Sequence, residues 1–152
     1  MKGKLGKAFI WLIIIASVSL SMAMLLQGQK KYPSPKSDFW EKLSKCKVSK
    51  NYRIDFTDEI KNLDNKIVSL DGYIIPIEST EKFNHFLLSF RSTTCSFCPP
   101  SKPNEIIEVF TKESISWQDS LQTISGKLQL GSNISENGLF FKIIDAKVGS
   151  QP

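Results

Sequence analysis

The chain has 152 residues, 41% hydrophobic and 23% charged, with 20 basic against 15 acidic side chains and one histidine. That length fits one domain, and the composition excludes collagen-like, coiled-coil, wholly disordered and polytopic membrane classes. Three cysteines are too few for a disulfide-dense scaffold, and an odd number cannot all pair within the chain.

The net charge of +5 needs dissection before it suggests a partner. Lys2, Lys4 and Lys7 precede Ala8–Leu26, nineteen uncharged residues whose polar members are Ser17, Ser19 and Ser21. A positive start followed by an apolar run is the pattern of an export signal. A secretory core usually has about 7–15 residues and a membrane-spanning helix about 20, so the run sits closer to an uncleaved anchor than to a cleaved signal. A buried core helix would show a polar face over such a length. The lysines ahead of the run predict an inside N-terminus and an extracytoplasmic remainder. Residues 1–26 are therefore assigned as signal peptide or signal anchor, 27–37 as a linker marked by Pro33 and Pro35, and 38–149 as the folded domain. Without the first three lysines, 17 basic face 15 acidic residues, a balance of +2. Lys30, Lys31 and Lys36 then lie beside the membrane, where anionic lipid is a closer partner than nucleic acid.

Ser37 or Asp38 can cap a short helix with apolar Phe39, Trp40 and Leu43. Thr57 can cap a second, Asp58–Leu63, and the stretch from Tyr52 to Phe56 between them reads as extended or loop. From Lys66 the period becomes two. Val68, Leu70, Gly72 and Ile74 alternate with polar positions to Pro76, and Phe86, Leu88 and Phe90 oppose His85, Leu87 and Ser89. Ile106–Phe110 supply a third strand. Ile124, Gly126, Leu128 and Leu130 form a fourth, and Leu139–Val148 a fifth. Interior glycines mark bends of the kind a small barrel needs. The prediction is a mainly β fold: a five-stranded OB-like barrel with one or two short N-terminal helices, preceded by the hydrophobic helix.

Between the second and third strands lies Thr93-Thr94-Cys95-Ser96-Phe97-Cys98-Pro99-Pro100-Ser101-Lys102-Pro103-Asn104-Glu105. Its three prolines predict a stiff, non-helical loop. Cys95 and Cys98 admit three readings. Redox exchange would gain from a helix start beside the thiols, but Pro99-Pro100 and a strand follow instead. Zinc or another thiophilic metal wants four ligands, and the chain offers only Cys46 and His85 besides this pair. His85, opposite Phe86 on its strand, reads as a solvent-facing polar residue. A local disulfide, or two small residues filling the loop, suits an oxidising compartment and is the plainest reading.

Trp40-Glu41-Lys42-Leu43, Gly72-Tyr73-Ile74-Ile75-Pro76, Cys95-x-x-Cys98, Pro103-Asn104-Glu105 and Asp145-Ala146 occur in an order that resembles one family. It is the exported bacterial domain-of-unknown-function family numbered thirty-two ninety-nine, with most similarity to its Bacteroidetes branch. The resemblance covers about residues 39–148 and implies a secreted or anchored OB-like domain, with no assigned activity. Related sequences carry Gly-Gly-Ala-Gly-Pro where this chain has Pro99-Pro100-Ser101-Lys102-Pro103, and an aliphatic residue where it has Cys46. The similarity thus supports the cysteine pair and sets Cys46 apart from it.

The expected function is that of a membrane-anchored or secreted extracytoplasmic binding domain, inner-membrane anchored facing the periplasm or periplasmic after cleavage. It would act through the loop by holding a metal ion or by shaping a surface for a protein partner. The alternative is a thiol–disulfide protein using the same pair. Tyr73, Phe90 and Phe97 could stack nucleic-acid bases on an OB barrel, but export and a balance of +2 argue against that. The sequence points away from an enzyme. One histidine leaves a single imidazole base, and Gly-x-Ser-x-Gly, His-Glu-x-x-His and phosphate-cradling loops do not occur.

Overall fold

A computed structural model of the chain describes Ile15 and residues 33–49, 53–92, 102–131 and 139–150. The chain divides between Tyr32 and Pro33, and all that follows concerns the second unit. No helix among the described residues is long and apolar enough to cross a membrane. The predicted hydrophobic helix lies outside them apart from Ile15.

Two short helices come first, α1 (Asp38–Ser44) and α2 (Asp58–Lys61). Both start where a side-chain oxygen can satisfy an orphan amide. Phe39 N–H donates to Ser37 Oγ at 3.2 Å, and Ile60 N–H to Thr57 Oγ1 at 3.4 Å. The second helix is shorter than predicted, because the residues after Lys61 turn toward Asn65, whose φ is 61°. A two-residue hairpin joins the helices, β1 (Lys47–Val48) against β2 (Ile54–Asp55). Lys42 of α1 meets Glu59 of α2 at 2.9 Å, and its hydrogen bond holds the Glu59 carboxyl below its usual value.

The barrel follows as β3 (Ile67–Pro76), β4 (Lys82–Ser89), β5 (Ile106–Ser116), β6 (Leu121–Leu130) and β7 (Phe141–Ser150). Its closed order is β3-β4-β5-β7-β6, antiparallel throughout except for the parallel pair β5–β7. This is the OB arrangement the sequence predicts: the first strand pairs with the second and fourth, and the third runs parallel to the fifth. Alternate residues fill the interior, among them Leu70, Phe86, Leu88, Ile107, Val109, Ile124, Leu128 and Ile143, all nearly or wholly buried. The third strand runs past the predicted Phe110 to Ser116, through a bulge around Thr111. There β4 loses register between Phe83 and His85, and the Thr111 hydroxyl donates to the Glu113 carbonyl at 2.8 Å. That polar detour hides the strand from a periodicity test.

The helices close one end of the barrel. Leu43 and Ile60 are fully buried, and Phe56 packs edge-on to Phe141 at 5.6 Å. Trp40 Nε1–H donates to the Asp71 carbonyl at 2.6 Å, which fixes α1 on β3. Tyr73 donates from its hydroxyl to the Pro33 carbonyl, drawing the end of the linker against the same strand.

Both predicted bend glycines are explained by close approach. A Cβ on Gly72 would meet the Leu88 side chain at 2.6 Å. A Cβ on Gly126 would meet Ile143 Cγ2 at 2.5 Å, and the backbone at Ala146 Cα and Ile144 O at 2.9 Å each. Opposite Gly126, β7 carries two residues where β6 carries one, and the first of them, Asp145, has a φ of 51°. This is a β-bulge with an aspartate at the left-handed position. Because Leu88 can swing and backbone cannot, Gly126→Ala should cost about 2–3 kcal/mol and Gly72→Ala about 1 kcal/mol. Urea unfolding of the two variants checks the ranking, and equal losses would refute it.

Candidate functional site

The cysteine loop leaves the barrel after β4 and returns into β5. Cys95, Cys98, Pro99 and Pro100 lie outside the described residues, while both ends of the loop are described. The return is a single 3-10 turn, Pro103–Glu105, where the sequence predicts no helical geometry. Pro103 suits its first position, since proline there gives up an amide that would have no partner.

Glu105 closes the neck of the loop. Its carboxylate accepts from Arg91 Nε at 3.0 Å and Nη2 at 3.2 Å, a forked pair across the loop. It also accepts from the Lys102 amide at 3.2 Å, and its own carbonyl accepts from Phe90 N–H at 3.0 Å. Glu105 is largely buried, with 16% of its side chain exposed, so the pair is better shielded than an ordinary surface bridge. Arg91 is steadied in turn, its amide donating to Ser89 Oγ at 3.1 Å.

Asn104 ties this neck to α1. Its Nδ2 lies 3.4 Å from the carbonyls of Leu43 and Ser44 at the helix end, the first of which also accepts from Cys46 N–H at 3.0 Å. Trp40 and Phe90 pack beside it with ring centroids 5.8 Å apart. Between the linker end, α1 and the neck opens a cleft of about 360 Å³, lined by Lys36, Asp38, Trp40, Glu41, Phe90 and Glu105 among others. The two described feet of the cysteine loop are thus held together, with a small aromatic-floored cleft beside them.

The other two candidate ligands stand elsewhere. Cys46 follows α1 as a free thiol, 3% exposed in the apolar core, with its Sγ 3.9 Å from the Lys42 carbonyl. His85 does face outward, opposite Phe86, but it is not the simply hydrated residue its position suggests. Its Nε2 lies 2.8 Å from Glu108 Oε1, and its ring stacks on Phe110 at 4.2 Å. Glu108 Oε2 is paired with Lys142 Nζ at 3.2 Å, although without hydrogen-bond alignment. Among the described residues, no three His, Cys, Asp or Glu side chains are grouped so as to hold a metal ion. Arg91, Glu108 and Lys142 escape sequence reasoning, because only the strand register brings them to their partners.

Arg91→Met leaves Glu105 half-satisfied and should cost about 1 kcal/mol, discounted for the exposure of Arg91. It should also speed proteolytic cleavage between residues 92 and 102. Urea unfolding and limited proteolysis measure the two effects, and unchanged values for both would show that the neck is not clamped by this pair.

The family described as "Protein of unknown function (DUF3299)" matches residues 27–142. The chain is also similar to a crystal structure of a DUF3299 family protein from Pseudomonas aeruginosa PAO1. That protein is 22% identical, with a TM-score of 0.50 over 79% of this chain and 87% of the other. At that identity the likeness speaks for the fold alone. No curated protein matches the chain.

Proposed function

The chain belongs to the DUF3299 family of proteins of unknown function, and from that premise we propose that it is a non-enzymatic binding domain acting through its Cys95–Cys98 loop. The neck carries the reading: Arg91 and Glu105 bridge the loop's two feet, and Asn104 ties one of them to α1. A loop so anchored can present its tip in one orientation to a partner, with the adjoining cleft as part of the surface.

On this reading the domain sits outside the cytoplasm, tethered by or released from the apolar segment Ala8–Leu26. The thiol pair supplies two of the four ligands zinc usually takes. Cys46 is committed to the core and His85 to Glu108. A metal on the loop would therefore draw its remaining ligands from a partner or from water. Burial of Cys46 also isolates it from disulfide exchange, which leaves Cys95 and Cys98 as the pair open to oxidation.

Elemental analysis with thiol counting, on protein purified without oxygen, tests the proposal. The expected result is about one zinc per chain, with Cys95 and Cys98 resisting alkylation until a chelator is added. Cys95→Ser should abolish the metal and leave the fold intact. No metal, together with a pair that cycles between dithiol and disulfide, would replace this reading with that of a thiol–disulfide protein. No metal and a permanently closed disulfide would reduce the loop to a structural feature.

A further inference from the structure

Two rows of side chains on the outer face of β3, β6 and β7 take no part in the neck or in the ion pairs of Glu108. The register sets Ile67 of β3 opposite Lys127 of β6, and Lys127 in turn opposite Ile144 of β7. The next row is Ser69, Ser125 and Lys147. These residues alternate with the buried Val68, Gly126, Ile143 and Ala146, so all six point out of the barrel. Directly opposed residues on one face stand close enough to touch. Ile67 is 73% exposed, and Ile144 is half-buried on the far side of Lys127. One ammonium group is therefore set between two aliphatic side chains, with a second one row away.

No carboxylate stands in either row, and those on flanking residues are each engaged. Asp71, in the row beyond Ser69, accepts from Thr123 Oγ1 at 2.7 Å, and Asp145 beside Ile144 pairs with Lys112 at 3.1 Å. Asp64 accepts from Leu130 N–H at 3.1 Å and from Asn65 Nδ2 at 3.0 Å. Glu108 pairs with His85 and Lys142. Neither Lys127 nor Lys147 has an ion pair among the described residues. Unpaired lysines beside exposed aliphatic surface suit the headgroup layer of an anionic membrane, where apolar groups enter and ammonium groups reach phosphate.

The chain ahead of the barrel arrives on the same side of β3. The Pro33 carbonyl accepts from the hydroxyl of Tyr73, which shares the outward side of that strand with Ile67 and Ser69. Six residues separate Leu26 from Pro33, and even fully extended they span at most about 25 Å.

We propose that this face, through Ile67, Lys127, Ile144 and Lys147, docks against the anionic lipid surface to which the chain is tethered. The docking rests on the reading of Ala8–Leu26 as a membrane anchor. Two lysines give a free domain little affinity, since each strengthens attachment only about fivefold. A short tether makes so weak a contact effective by keeping the face within reach of the lipid.

The full chain, reconstituted in phosphatidylcholine nanodiscs with and without phosphatidylglycerol, tests this. Its lysines are briefly acetylated and the modification at each is measured by mass spectrometry. Lys127 and Lys147 are expected to react about threefold more slowly in the anionic discs, while Lys82 on β4 keeps its rate. High salt should erase the difference. Lys147→Gln should weaken docking about fivefold, read as lost protection of Lys127, with unchanged unfolding. Discs that fail to retain the chain would overturn the anchor and the docking together. Retention without protection of the two lysines would overturn the docking alone. Equal protection in neutral discs would assign the face to a second copy or another protein, and would overturn it as well.

Discussion

The constraint on which the structure depends is the closure of the barrel at β7. This strand must run parallel to β5 on one side and antiparallel to β6 on the other, while the sheet coils tightly enough to meet itself. The bulge at Asp145 reconciles the two ladders. Both change register there, at Thr111 on β5 and across Gly126 on β6. Asp145 takes up the left-handed turn, and its side chain stays at the surface, 3.1 Å from Lys112. Gly126 gives the kinked backbone room to approach. Five strands of ordinary hydrophobic alternation would form an open sheet without this pair of residues.

Closure then determines what can stand at the barrel's ends. With the strands fixed, Asp71 presents its carbonyl to Trp40 and Phe90 meets the same indole, so α1 has one seat. The end of α1 supplies the acceptors for Asn104, and the next residue, Glu105, reaches Arg91 across the loop. Helix, neck and barrel are thus joined by a chain of polar contacts, with the Trp40–Phe90 pair packed beside the helix end. The two feet of the cysteine loop, Arg91 and Lys102–Glu105, are part of that platform.

Much of this was legible in the sequence, and the parts that were not share a physical cause. Ser37 and Thr57 announced the helix starts, because a cap is a local bond between neighbours. Gly72 and Gly126 announced the bends, because a glycine interrupts an otherwise strict alternation. The five strands and their barrel followed from period two. The hairpin of β1 and β2 is too short to have a period, and the polar run after Phe110 concealed the length of β5. Contacts set by register were out of reach. Arg91 and Glu105 are fourteen residues apart, and His85 and Glu108 are twenty-three apart. Nothing local to either residue points to its partner. The cysteine spacing disclosed a chemistry and the three options it allows, whereas the structure contributed the setting: Cys46 in the core and His85 on another wall.

That setting bears on how the cluster at Glu108 should be understood. As a staple between strands it is a poor device, since burying a carboxylate and its partners costs desolvation that their attraction only offsets. Apolar side chains already line these strands inside the barrel, and the backbone ladders already pair β4 with β5 and β5 with β7. A leucine at position 108 would cover the same wall without a charge to neutralise. What leucine could not do is hold an imidazole and an ammonium, one from each of the two strands that flank β5. Orientation of polar groups, rather than cohesion of the barrel, is what a buried carboxylate supplies at this position. The cohesion of this wall comes instead from the apolar core and the backbone ladders beneath the carboxylate.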